Sequence, residues 1–98
     1  ENDTSLQTAR LNLSKTLFLL GELDRAYELQ ALALAALTRN LPDDHPLIQT
    51  ARQNLAATVS TLGDLQRARL LDEQVLEAYS RTLSGDDSAV GSSMWYPE

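Results

Sequence analysis

An all-α array of antiparallel helix pairs is the fold class this sequence predicts, and three observations carry it. First, the chain repeats itself. Thr8-Ala9-Arg10-Leu11-Asn12-Leu13 returns as Thr50-Ala51-Arg52-Gln53-Asn54-Leu55, and Leu20-Gly21-Glu22-Leu23 returns as Leu62-Gly63-Asp64-Leu65, each displaced by 42 residues. The register holds through Arg25/Arg67, Ala26/Ala68, Leu34/Leu76, Ala36/Ala78, Arg39/Arg81, Leu41/Leu83 and Asp44/Asp86. Second, apolar residues within each copy recur at spacings of three and four, the period of a helix with one buried stripe. Third, a lone glycine, Gly21 and then Gly63, stands at the same place in each copy with helical pattern on both sides. A repeat of this length marks a stack in which each unit hides its apolar face only against a neighbour.

The chain reads as one domain over 1–98, with a first unit at about 4–41, a second at about 46–83, and 84–98 as a partial helix or capping tail. In the first helix, Asp3 is placed to cap the free amides. Leu6, Ala9, Leu13, Leu17 and Leu20 form its expected buried stripe. Gly21 ends it, because glycine tolerates the left-handed conformation that stops a helix. Glu22 and Asp24 then favour the positive end of the next helix dipole. The inward stripe of that second helix is Leu23, Ala26, Leu29 or Gln30, Ala33, Leu37 and Leu41. So short a connection holds the two helices antiparallel. Every residue from Ala31 to Leu37 is apolar, so Leu32 and Ala35 are expected on the surface, one apolar face more than a hairpin uses.

The bend from Asn40 to Pro46 carries two prolines, and Pro46 suits the first turn of a helix, where its missing amide is no loss. The third helix is expected at about 46–62 with Ile48, Ala51, Leu55, Val59 and Leu62 inward, closed by Gly63. The fourth, at about 64–83, turns Leu65, Ala68, Leu71, Val75, Tyr79 and Leu83 inward and Glu73, Gln74 and Glu77 outward. Leu13 and Leu55 are thereby expected at equivalent interior places. After Leu83 the register decays, since Pro97 falls where Leu13 and Leu55 stand and blocks a helix there. At most two turns of a further helix fit, and Gly91-Ser92-Ser93 reads equally as a linker carrying Met94-Trp95-Tyr96.

A chain of 98 residues buries only about 60–65% of its unfolded surface, so its core is modest. No window approaches the roughly 18 apolar residues of a membrane span, and the opening residues lack the layout of a signal peptide. There is no cysteine, which excludes disulfides and thiolate metal sites and fits a reducing, cytoplasmic setting. With 8 basic against 14 acidic residues the net charge is −6, which opposes binding to a polyphosphate backbone. No nucleic acid and no membrane are expected as partners. No catalytic constellation, metal set or cofactor loop is found. The only histidine, His45, lies beside Asp43 and Asp44 and reads as a bend or cap residue, because a metal would need further ligands.

On Leu13-Ser14, Gly21, Ala26 and Ala33, and again on Leu55-Ala56, Gly63, Ala68 and Val75, the chain resembles tetratricopeptide repeats in the 42-residue form found in kinesin light chains and many bacterial signalling proteins. The resemblance implies a right-handed superhelical solenoid of two repeats plus a truncated third A helix. Small residues let the two helices of a unit approach until ridges seat in grooves; Val75 should push the second pair slightly apart. Asp43-Asp44-His45-Pro46 is similar to the Asp-His-Pro bend of that longer form, whereas Asp87-Ser88 replaces His45-Pro46 at the next bend. The wording from Arg67 to Glu77 resembles the bacterial arrays attached to nucleotide-binding or protease-like effector domains more than it resembles kinesin light chain.

The same resemblance implies a concave groove lined by the A helices, here Thr8, Leu11, Asn12, Lys15 and Phe18, then Thr50, Gln53, Asn54, Ala57 and Ser60. Asn12 and Asn54 recur in register. An amide offers a donor and an acceptor, so the pair can hold the backbone of an extended peptide, or else bond only locally or to water. Lys15 is the one basic groove residue, so a two-sided carboxylate clamp is missing and a strongly acidic peptide is not favoured. The repeated arginines could serve a ligand, but are expected in surface ion pairs with Glu22/Asp64 and Asp44/Asp86, worth about 0–1 kcal/mol each. Trp95 and Tyr96 cover the end of the array, dock in the groove of another copy, or are a tag or cleavage remnant without a role, and with Leu32 and Ala35 they are the candidates for capping or self-association. The expected function is a protein-binding module that takes a peptide or helix. The alternatives are a self-associating structural segment and the sensing repeats of a larger bacterial effector.

Overall fold

A computed structural model describes residues 4–83. They form four helices, α1 (Ser5–Leu19), α2 (Leu23–Asn40), α3 (Pro46–Thr61) and α4 (Leu65–Leu83). No strand occurs among the described residues. Helix α1 packs on α2 and α3 on α4; α2 also packs on α3, and α1 touches α3 more lightly. Helix α3 therefore lies between two partners, while α1 and α4 each have one principal neighbour.

Both hairpin turns close in the same way. Glu22 N–H donates to the Leu17 carbonyl at 2.9 Å and Gly21 N–H to Phe18 at 3.0 Å; Asp64 N–H donates to Val59 at 2.8 Å and Gly63 N–H to Ser60 at 3.0 Å. These are paired bonds around a left-handed residue, and the glycines supply it, with φ of +84° at Gly21 and +102° at Gly63. Between the units, Leu41 is extended, His45 N–H closes a turn on the Pro42 carbonyl at 3.0 Å, and Pro46 opens α3. His45 is the N-cap: its Nδ1 accepts from Leu47 N–H at 3.0 Å. Asp64 Oδ1 likewise accepts from Arg67 N–H at 3.2 Å ahead of α4. Asp3 lies outside the described residues; Thr4 occupies the cap position of α1 and makes no side-chain bond there.

The core forms two clusters joined by α3. One holds Leu11, Ala33, Leu37, Ile48 and Ala51; the other holds Leu55, Ala56, Val59, Ala68 and Leu71, with Tyr27 packed on it and Leu34 packed on both. The expected stripe of α2 is met, and of the pair Leu29 and Gln30 it is Gln30 that is buried. The stripe expected on α1 is corrected. Leu17 is buried, but Leu6, Ala9, Leu13 and Leu20 are exposed, and the buried face is Leu11, Ser14 and Leu17. Leu13 therefore does not share the interior place of Leu55: it is 48% exposed against 2%. The two occupy equivalent helix positions, but α2 lies on that side of α3 and no described element lies there on α1. Leu62 and Leu65, expected inward, are exposed at the second hairpin turn, and Tyr79 is half-buried. The bend and short helix expected within 84–98 lie outside the described residues.

Candidate functional site

Helices α1 and α3 run side by side on one face of the molecule, and the i, i+4, i+7 spacing places Thr8, Asn12 and Lys15 along one ridge and Thr50, Asn54 and Ala57 along the other. Between the ridges lies a cleft of about 250 Å³, lined by Lys15, Phe18, Leu19, Gln30, Asn54 and Ala57. Of the ten residues expected to line a groove, it brings together Lys15, Phe18, Asn54 and Ala57. Thr8, Asn12, Thr50 and Gln53 are exposed and Ser60 is half-buried, outside the cleft lining. Leu11 is corrected: it is buried in the core beside Ala33, Leu37, Ile48 and Ala51.

Two lining residues escaped the sequence reading, Leu19 and Gln30. The signal for Gln30 was a polar residue on the inward stripe of α2. It is 1% exposed, and its Nε2 donates to Ser14 Oγ at 3.2 Å, which in turn donates to the Leu11 carbonyl at 2.8 Å. Gln30 Oε1 accepts no hydrogen bond among the described residues. A buried acceptor without a donor costs about 1–3 kcal/mol, so a donor brought to that oxygen is favoured. The side-chain amides of Asn12 and Asn54 likewise have no hydrogen-bond partner among the described residues. The walls, Phe18, Leu19 and Ala57, are apolar. Such a surface can hold an apolar group between α1 and α3 while open amides meet a backbone beside it.

A model of the tetratricopeptide repeat matches residues 5–81. The chain belongs to the tetratricopeptide-repeat family. Repeats of this family generally mediate protein–protein contacts and are typically not enzymes. Neither the curated proteins nor the solved structures yield a match to this chain.

In this tetratricopeptide-repeat chain the arginines do more than decorate the surface. Arg25 meets Glu22 at 2.9 Å in the open, as expected. Arg52 does not: its side chain is 8% exposed, bound to Asp43 at 2.7 Å and to Gln49 Oε1 at 2.9 Å. Gln49, fully buried, donates through Nε2 to the Asp43 carbonyl at 2.8 Å. Arg81 reaches the other Asp43 oxygen at 3.4 Å, so Asp43, not Asp44, ties the bend to α3 and to the end of α4. The Arg52 hydrogen bond is the main reason the Asp43 carboxyl is held below the usual carboxylate range. Arg67 leaves Asp64's carboxylate to the backbone and instead lies over the Tyr27 ring and donates to its hydroxyl at 2.9 Å.

Among the described residues no group of three His, Cys, Asp or Glu side chains could hold a metal, and no helix is long and apolar enough to cross a membrane. On α2, Leu32 and Ala35 are exposed as expected and line an open groove of about 430 Å³ with Tyr27, Glu28 and Ala31. Trp95 and Tyr96 lie outside the described residues.

Proposed function

We propose that the chain is a non-catalytic binding module whose cleft between α1 and α3 holds an extended peptide or a helix from another protein. The observation that carries this reading is the chemistry of the cleft: apolar walls at Phe18, Leu19 and Ala57, with the buried, unpartnered Gln30 oxygen among the lining residues. Asn12 and Asn54 hold the ligand backbone, and Lys15 supplies one positive charge. Thr8, Thr50, Gln53 and Ser60 extend the contact along the helices. The 42-residue period and the Asp43-Asp44-His45-Pro46 bend support placing the chain with the longer repeats of kinesin light chains and bacterial signalling proteins. The cysteine-free composition supports a reducing, cytoplasmic setting.

A random dodecapeptide library displayed on phage and selected on the 98-residue chain tests the cleft, with recurrent peptides then titrated against variants. Ala57→Arg fills the cleft from an exposed position and is expected to abolish binding. Asn12→Ala with Asn54→Ala is expected to weaken it roughly 5- to 30-fold, about 1–2 kcal/mol, at unchanged Tm. Peptides indifferent to both variants would sink the reading, and an equal loss of stability would make the amides structural.

A second reading, self-association through the outer face of α2, is favoured by the 53% exposure of Leu32 beside exposed Ala35. Sedimentation over a range of concentrations decides it. A dimer lost on Leu32→Glu supports it, and a monomer throughout removes it.

A further inference from the structure

The side chains that line the cleft between α1 and α3 differ in depth. Lys15, Leu19 and Ala57 are exposed, Phe18 and Asn54 are half-buried, and only Gln30 is buried, at 1% exposure. Gln30 belongs to α2, behind the two helices that form the walls, so it is the floor. Its Nε2 is committed to Ser14 Oγ at 3.2 Å, which leaves Oε1 as a buried acceptor. Among the described residues no other buried side-chain nitrogen or oxygen lacks a partner.

An apolar slot that ends on a free acceptor is selective. An aliphatic or plain phenyl group fills the walls but leaves Oε1 as unpaired as before. A cationic donor meets Lys15 at the rim, and neither α1 nor α3 carries an Asp or Glu to receive it. A ligand's backbone N–H is taken by the open amides of Asn12 and Asn54 before it reaches the floor. What remains is an apolar body with one uncharged donor at its leading end.

We propose that the group entering the cleft is the phenol ring of a partner's tyrosine, its hydroxyl donating to Gln30 Oε1. The inference rests on the cleft being the binding site and names what fills it. The body of the ring suits Leu19 and Ala57, and its edge suits the face of Phe18. Its hydroxyl stands at the tip, the part that reaches a floor first, whereas an indole carries its N–H on the flank, where the walls are apolar. With an ordinary value of about 10 the phenol keeps its proton at neutral pH, and its oxygen can still accept from Asn54 Nδ2. Oε1 is already buried and unpaired, so the new bond replaces no bond to solvent and adds to affinity nearly undiminished.

Small probes test this on the isotope-labelled chain: the N-acetyl amides of tyrosine, phenylalanine, tryptophan and O-methyltyrosine, each titrated while amide shifts are followed by NMR. Saturable shifts are expected at Lys15, Phe18, Asn54 and Ala57 and at the Gln30 side-chain amide, with the tyrosine probe bound about tenfold tighter than the phenylalanine probe. The O-methyl probe has the same oxygen without a donor and should bind no tighter than phenylalanine. Gln30→Met keeps the length of the side chain and removes the acceptor, so it should erase the preference for tyrosine and leave phenylalanine binding in place. Circular dichroism checks the fold of that variant, and the O-methyl comparison asks the same question of the unaltered chain. Equal binding of tyrosine and phenylalanine at these residues would overturn the proposal and leave the cleft standing as a binding site. Tryptophan bound more tightly than tyrosine would replace the phenol by an indole. No saturation by any probe up to about 10 mM, or shifts confined to Leu32 and Ala35, would overturn both the phenol and the cleft.

Discussion

Helices α1 and α3 are near copies in sequence and differ sharply in what surrounds them. Ile48, Ala51 and Leu55 are sealed, while their counterparts Leu6, Ala9 and Leu13 stand in solvent. The apolar pattern of a repeat thus states where a side chain can be buried, and its neighbours decide whether it is. In α3 the buried arc is wide enough to meet α2 on one side and α4 on the other; in α1 only the side toward α2 is used.

The largest test of that contrast is a matched pair of truncations. Leu55→Ala removes a side chain packed among Tyr27, Leu34, Ala56, Val59, Ala68 and Leu71, and is expected to cost about 2–5 kcal/mol from lost transfer energy plus the residual cavity. Leu13→Ala, at the same repeat position, should cost under about 1 kcal/mol, because little is left to lose at a solvated site. Urea unfolding midpoints measure both. Equal costs would show that α1 has a covering partner in solution and would erase the distinction between the helices.

A second pair compares the two hairpins. Ala26 is completely buried and Ala68 is 7% exposed, at equivalent places where a helix approaches its hairpin partner. Ala26→Leu should overpack the contact and cost about 1–3 kcal/mol. Ala68→Leu should cost less, since α4 has no described neighbour beyond α3 and can shift outward, whereas α2 is held from both sides. The order of the two melting temperatures checks this, and a reversed order would mean that the second hairpin is the more tightly held.

The fold was legible because the period, the paired glycines and the spacing of leucines are local signals, and each reports on a helix or a turn that forms from nearby residues. The depth of burial was not, because it depends on other helices, as Leu55 depends on Tyr27 and Leu34 of α2 and on Ala68 and Leu71 of α4: Leu13 and Leu55 read alike, and nothing in either hexapeptide says that one lacks a neighbour. The cleft was half legible. Lys15, Phe18, Asn54 and Ala57 came from the resemblance to the family's groove positions, but Gln30 reaches the cleft from the opposite helix of the pair, and only its polarity on an apolar stripe marked it. The arginine network was missed for a related reason. Arg10 and Arg52 share a repeat position and each donates to a glutamine three residues back, Gln7 and Gln49, at 2.9 Å. Among the described residues only Arg52 of the two also meets a carboxylate across a bend, a contact that no helix spacing encodes.

That last difference gives the smallest of the three effects and the one that depends on pH. Asp43 is 65% exposed as a side chain, so solvent screens its pairing, yet Arg52 beneath it is buried and loses its only carboxylate when Asp43 is changed. Asp43→Asn is expected to cost about 1 kcal/mol at neutral pH. The Asp43 carboxyl is held below its usual range, first by the Arg52 hydrogen bond and then by the charges of Arg52 and Arg81. A lowered folded-state value means that the unfolded chain takes up the proton first. The stabilisation is therefore fully present above the ordinary aspartate value near about 4 and is lost as pH falls through the lowered value. The difference in stability between the parent and Asp43→Asn should be constant from neutral pH down to that region and shrink below it. Arg52→Gln should reproduce the Asp43→Asn profile. A pH-independent gap for Asp43→Asn would mean that the bend is held by the Gln49 bonds to the Asp43 and His45 carbonyls and not by charge.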